Sequence, residues 1–180
     1  MKRGLKVASF SNIIALADYQ WPLSSLLRAL KFSANLANAL ALAELFYQHT
    51  VSKLPFMPDA IIPLPLHPSR YRQRYFNQSI EIAKQLSKLC HVPINNNLLR
   101  RIKNTKAQTE LSASQRKSNL LNAFALEPSQ QDKLCQYKHI ALFDDVVTTG
   151  ATMDAAYQLL TRTHPELRID IWCICLTLEH

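Results

Sequence analysis

Two adjacent carboxylates, followed closely by hydroxyls clustered around a glycine, form the densest chemistry in the chain: Asp144-Asp145, then Thr148-Thr149-Gly150-Ala151-Thr152. Backbone N–H groups at a turn that opens a helix suit a phosphate, and the positive end of the helix dipole adds to the attraction. Gly150 allows close backbone approach and unusual dihedrals. Threonine hydroxyls donate further hydrogen bonds. Ionised aspartates only accept, so beside a phosphate they would repel it unless the same ligand carries hydroxyls. A ribose 5-phosphate meets both demands: carboxylates on the ribose hydroxyls, loop on the phosphate.

The elements that position these groups follow from patterning. Ile140-Ala-Leu-Phe143 is a short apolar run and reads as a buried strand, with the aspartates where it leaves the core. After the turn, Met153, Ala156, Tyr157 and Leu160 recur at helical spacing until Pro165. The unit is strand, acidic pair, tight turn, helix, and the carboxyl ends of strands are where open α/β sheets bind ligands.

Elsewhere the chain alternates. Ile13, Ile14 and Leu16 fit an edge strand or a turn of helix. Leu23, Leu26, Leu27 and Leu30 keep helical spacing. A second helix is expected from about Leu36 to Thr50, apolar on nearly all sides and hence heavily buried. Residues 59–66 read as a strand ended by Pro63 and Pro65. The stretch after it, with Leu66, His67, Arg70, Arg72 and Arg74, reads as a donor-rich loop and a second anion site. Phe76 to Cys90 is an amphipathic helix, and strands are expected near residues 98, 124 and 171. Glu127 to Lys133 reads as a surface loop. Ser112 and Gln115 make a capping box for one more helix. The fold class expected is α/β, a largely parallel central sheet flanked by helices. Residues 1–58 would be an N-terminal helical segment packed on or hooding the core, 59–177 the core, and 178–180 a vector-derived tail.

Composition bounds the function. One domain is expected for 180 residues, and no apolar run approaches the ~20 residues of a membrane span. The interrupted apolar patch after the basic N-terminus argues against a signal peptide. A net charge of +8 allows nucleic acid or anionic metabolites as partners. The positive charge lies in short clusters without a groove-reading motif, which favours a polyanionic small ligand over direct nucleic-acid binding. Two glycines in the whole chain exclude a Rossmann fingerprint and a P-loop. Cys90, Cys135, Cys173 and Cys175 form no C-x-x-C pair and read as reduced cysteines of a cytoplasmic protein.

The stretch from Ile140 to Thr152 resembles the signature of type I phosphoribosyltransferases, which bind phosphoribosyl pyrophosphate (PRPP). The chain is also similar, over about residues 19–177, to the ComF/GntX-like phosphoribosyltransferase family. That likeness rests on Leu30-Lys31-Phe32, on Asp59 through Arg70, on Arg74 through Gln78, and on Leu99 through Gln108. It continues in Leu111, Arg116, Asn119 and Ala123-Phe124. Family members commonly open with a four-cysteine zinc ribbon, and this sequence starts after where one would lie. The family's Arg-Gly-Phe-Asn-Gln reads here Arg74-Tyr75-Phe76-Asn77-Gln78.

The resemblance implies Mg²⁺-assisted transfer of ribose 5-phosphate from PRPP to a nitrogen acceptor, a base or an amine the sequence does not identify, with release of pyrophosphate. Asp144 and Asp145 would take the ribose hydroxyls, and Val146, Thr148, Thr149, Gly150, Ala151 and Thr152 would hold the 5-phosphate. Leu66, His67 and Arg70 would form a pyrophosphate loop. Lys103, Lys106 and Gln108 would sit on a closing loop, with Lys106 as a catalytic cation beside Asp144 and Asp145. Mg²⁺ would ride on the ligand's oxygens, and Asp145 could reach it through its waters. The alternative is a non-catalytic PRPP-sensing or competence-associated, DNA-uptake protein of the same fold. A homodimer is compatible with either reading.

Overall fold

The computed structural model describes residues 10, 12–102 and 123–177. Strand β1 (Ile13–Asp18) leads to helices α1 (Leu23–Ser33) and α2 (Ala37–His49). Strand β2 (Ala60–Pro63), helix α3 (Pro68–Arg74) and helix α4 (Gln78–Cys90) follow. Then come β3 (Leu99–Arg101), β4 (Phe124–Leu126), α5 (Gln131–Gln136), β5 (His139–Val147), α6 (Ala151–Thr163) and β6 (Arg168–Leu176).

Four strands form one parallel sheet in the order β1-β6-β5-β2. The long central pair runs in register from His139 opposite Arg168 to Val147 opposite Leu176. Because every strand points the same way, all carboxyl ends open on one edge, with β5 flanked by β6 and β2. This is the α/β fold with a parallel sheet that the alternation implies, and it is consistent with the type I phosphoribosyltransferase-like fold that the resemblance implies.

Side chains alternate across the pleat and build two cores. Ile62, Ile140, Leu142, Ile171 and Cys173 pack with Met153, Ala156 and Leu160 of α6 and with Leu98, just before β3, and Phe124 of β4. Ile61, Ala141, Phe143, Trp172 and Ile174 face the other way, under Leu27 and Leu30 of α1, Leu42 and Phe46 of α2, and Ile82 and Leu86 of α4. Phe46 meets Trp172 edge-on, with ring centroids 5.9 Å apart. A strand buried on both faces needs the uninterrupted apolar runs seen in β5 and β6.

Five expectations need correction. Strand β5 does not end at Phe143: its ladder with β6 carries it through both aspartates to Val147. The strands near 98 and 124 do not join the parallel sheet but pair antiparallel as a separate ribbon. The stretch after His67 is not a loop but helix α3, because His67 caps it and Pro68 supplies a preset first turn. The expected surface loop after Glu127 holds a turn of 3₁₀ helix and then α5. Helix α2 is buried on one face only, through Ala39, Leu42, Ala43 and Phe46, while Leu36 and Leu40 remain exposed. The capping-box helix expected from Ser112 lies outside the described residues. Among the described residues no helix is long and apolar enough to cross a membrane.

Candidate functional site at the carboxyl edge of the sheet

The end of β5 and the first turn of α6 form a small, solvent-open pocket of about 40 Å³, lined by Asp144, Val146, Val147, Thr148, Thr149, Gly150, Ala151, Thr152 and Met153. Gly150 turns the chain at φ 78°, in the left-handed region, and hands it to α6. Thr149 Oγ1 accepts the Ala151 N–H at 3.4 Å, a long bond. Helices α3 and α4 are closed at this end by His67 and Asn77, whereas α6 has no side-chain cap. Its first-turn N–H groups have no carbonyl one turn back and suit an anion. The structure therefore brings Asp144, Val146 and Thr148 to Thr152 together.

Asp144 is only part-exposed. Burial, and then the neighbouring charge of Asp145, push its carboxyl up to about 7. The Ser79 hydroxyl, which donates to Asp144 Oδ1 at 2.7 Å, and the charge of Lys31 pull the other way. A carboxylate so placed readily accepts a hydrogen bond from a ligand hydroxyl.

Asp145 does not line the pocket. It is buried, ion-paired with Lys31 of α1, and accepts from Gln78 Nε2 at 3.2 Å through Oδ1. Gln78 in turn accepts from Arg74 Nη1 at 3.3 Å, and the Arg74 guanidinium lies 5.4 Å from the centre of the Phe32 ring. Phe32 is the residue after Lys31, so the contacts form a closed ring joining α1, β5, α4 and α3.

Leu66, His67 and Arg70 lie beside this region and outside the pocket. His67 Nδ1 accepts the Ser69 N–H at 3.2 Å and sits 2.8 Å from Ser69 Oγ, so that nitrogen works as a helix cap. Arg70 belongs to α3, close enough to Arg74 and Arg101 for its charge to depress both guanidinium groups, after burial as the main cause. Asp145 partly offsets this for Arg74, and Asp144 for Arg101. Lys103, Lys106 and Gln108 lie outside the described residues.

Several site residues escape a local reading of the sequence. Asn77, Gln78 and Ser79 are three consecutive buried polar residues at the start of α4. Asn77 caps the helix and donates to Leu64 O at 2.9 Å, pinning the chain as it leaves β2, while Gln78 and Ser79 serve the two aspartates. An asparagine just before an amphipathic segment signals the cap. No local signal places Lys31 on Asp145, more than 100 residues away. Arg101, which stacks 5.5 Å from the Phe124 ring centre, is likewise legible only in space.

No family model matches the chain. It is 37% identical over 178 residues to DNA utilization protein YhgH of Escherichia coli (strain K12), covering 96% of this chain and 75% of that protein. It is 38% identical over the same length to the protein of that name in Shigella flexneri. Competence protein F of Haemophilus influenzae is 35% identical over 172 residues, 91% of this chain and 72% of that protein. The chain belongs to the ComF-like family. Tyr75 ends α3 in the left-handed region at φ 63°, where a glycine would carry no steric cost.

Proposed function

We propose that this ComF-like chain binds PRPP with Mg²⁺ as part of the handling of DNA, acting first as a binding protein. The observation that carries the reading is one pocket shared by a carboxylate, Asp144, and the uncapped Thr148–Thr152 turn. The phosphate end of the ligand takes the turn's N–H and hydroxyl groups, and a ribose hydroxyl takes Asp144. The names of the relatives, DNA utilization and competence proteins, support the setting. Four free cysteines fit a reducing cytoplasm.

Among the described residues no group of three or more His, Cys, Asp and Glu could hold a metal. Mg²⁺ bound to PRPP needs few protein ligands, so the residues fit an ion carried largely by the ligand's own oxygens and waters. Asp144 is the carboxylate open to it, because Asp145 is already engaged by Lys31. When bound, the ion offsets charge on the pyrophosphate.

A second reading, phosphoribosyl transfer, is favoured by the cluster of Arg70, Arg74 and Arg101 beside the aspartates. In that reaction the bond from C1 of the ribose to the pyrophosphate oxygen breaks with its electron pair going to pyrophosphate, a bond from C1 to the acceptor nitrogen forms, the nitrogen gives up its proton to solvent or to the pyrophosphate, and pyrophosphate leaves. The arginines would stabilise the departing charge, and catalysis would be chiefly positioning and electrostatics. The test has two arms. Calorimetry with PRPP and Mg²⁺ should give one site, weakened at least about tenfold in Asp144→Ala; equal affinity in the variant removes the site assignment. Pyrophosphate release on adding a panel of bases and amines would promote the second reading over the first.

A further inference from the structure

Asp145 presents a puzzle that the pocket alone does not solve. A ribose-binding pair of acids needs both carboxylates, yet Asp145 is committed to Lys31 and Gln78. Lys31 is not a peripheral lysine: its side chain is 19% exposed, against 4% for its partner. It comes from α1, outside the strand-loop-helix unit. It is joined to Arg74 through Asp145 and Gln78 on one path and Phe32 on the other. None of Lys31, Arg70, Arg74 and Arg101 lines the phosphate pocket. The cations thus lie by the acidic pair without lining the turn. A ligand with its 5-phosphate in the turn and its ribose hydroxyls on the pair leaves the group on C1 outside the turn, where the cations that meet the pair are the ones to receive it.

We propose that Lys31 is a specificity-determining residue for the anionic group on C1 of the ribose, an ammonium parked on Asp145 until that group arrives. The inference rests on the binding reading above. A ribose hydroxyl takes over the Asp145 carboxylate, and the freed ammonium transfers to the pyrophosphate of PRPP. A ligand lacking that group leaves Lys31 on Asp145 and engages Asp144 and the turn only. The ring through Gln78, Arg74 and Phe32 keeps the ammonium within reach in both states. Lys31 therefore separates PRPP from ribose 5-phosphate, and has little part in holding the 5-phosphate.

The experiment compares the two ligands by calorimetry, with Mg²⁺, in the wild-type protein, Lys31→Gln and Lys31→Arg. Glutamine keeps a hydrogen-bond donor for Asp145 and removes the charge. The preference for PRPP over ribose 5-phosphate should fall about tenfold in Lys31→Gln and recover in Lys31→Arg, the size expected for one charge-assisted hydrogen bond. A purely structural lysine would weaken both ligands alike and leave the ratio unchanged, and that result overturns the inference while the binding reading stands. Wild-type protein that binds neither ligand overturns the reading and the inference with it. Should Lys31→Gln not fold, wild-type protein with its lysines carbon-13 dimethylated, which keeps their charge, supplies the answer. The Lys31 methyl resonance should move with PRPP and stay with ribose 5-phosphate; equal movement with both contradicts the proposal.

Discussion

Strands β5 and β6 carry acids at both ends of the sheet, and the two ends treat them in opposite ways. At the amino edge, Asp170 accepts from Asn12 Nδ2 at 2.6 Å, lies 2.8 Å from His139 Nε2, and meets Arg168 Nη2 at 3.4 Å. Asp59 on the same edge accepts the backbone N–H groups of His139 and Lys138, which lower its carboxyl below the usual range. At the carboxyl edge, Asp144 is pushed the other way, up to about 7. Burial alone does not separate the ends, since Asp170 and Asp145 are both 3% exposed. Partners do. The amino-edge acids are held by the β1 approach, β5 and β6 themselves, and stitch the sheet. The carboxyl-edge acids are held by helices α1 and α4, beside a pocket, and one of them is costly to ionise. Asp59, bound to backbone donors of the sheet, is favoured in its charged form, and Asp144, beside the pocket, is not.

The largest effect expected from this contrast is on the stitched side. Asp170→Ala leaves the buried His139 side chain and its neighbours without their acceptor and should cost about 3 kcal/mol in urea unfolding, with the ligand affinity of the folded protein unchanged. A loss of affinity without a loss of stability would break the contrast. The second effect has the opposite sign. Asp144 has a folded pKa raised above its unfolded value, so the stability it contributes is present below about pH 4 and lost as pH rises through about 7. Asp144→Asn removes that loss and should be about 1–2 kcal/mol more stable than wild type at pH 8, with the two converging toward pH 4. The same variant should bind PRPP more weakly, trading function for stability. Asp59, with its pKa lowered, contributes in the reverse sense: its stabilisation is present above the unfolded pKa and fades as pH falls through the folded one. The smallest effect sharpens the boundary of the site. Tyr75→Gly relieves a left-handed residue at the end of α3 and should add about 1 kcal/mol in thermal or urea unfolding, leaving the phosphate turn untouched.

The contrast also explains what could be read from sequence. The turn from Thr148 to Thr152 is contiguous, so its residue types and order disclose a strand-turn-helix unit, and the apolar runs of β5 and β6 disclose a doubly covered sheet. His67-Pro68 carries a helix-start signal, yet the arginine-rich stretch after it reads as loop because so short a helix shows little periodicity. Lys31 and Arg101 come near the aspartates only through the fold, since a cation so far along the chain leaves no trace in local spacing. The opposite treatment of Asp59 and Asp144 is also invisible until their donors are known, because both follow or precede apolar runs in the same manner.

Backbone amide shift mapping with ribose 5-phosphate tests the two-ended account most directly. The resonances of Thr148 to Thr152 and of Asp144 should move in a saturable way, while those of Asp59, His139 and Asp170 at the opposite edge stay in place. Saturable shifts at the amino edge, with the turn unmoved, would contradict the assignment of the carboxyl edge as the phosphate-sugar site.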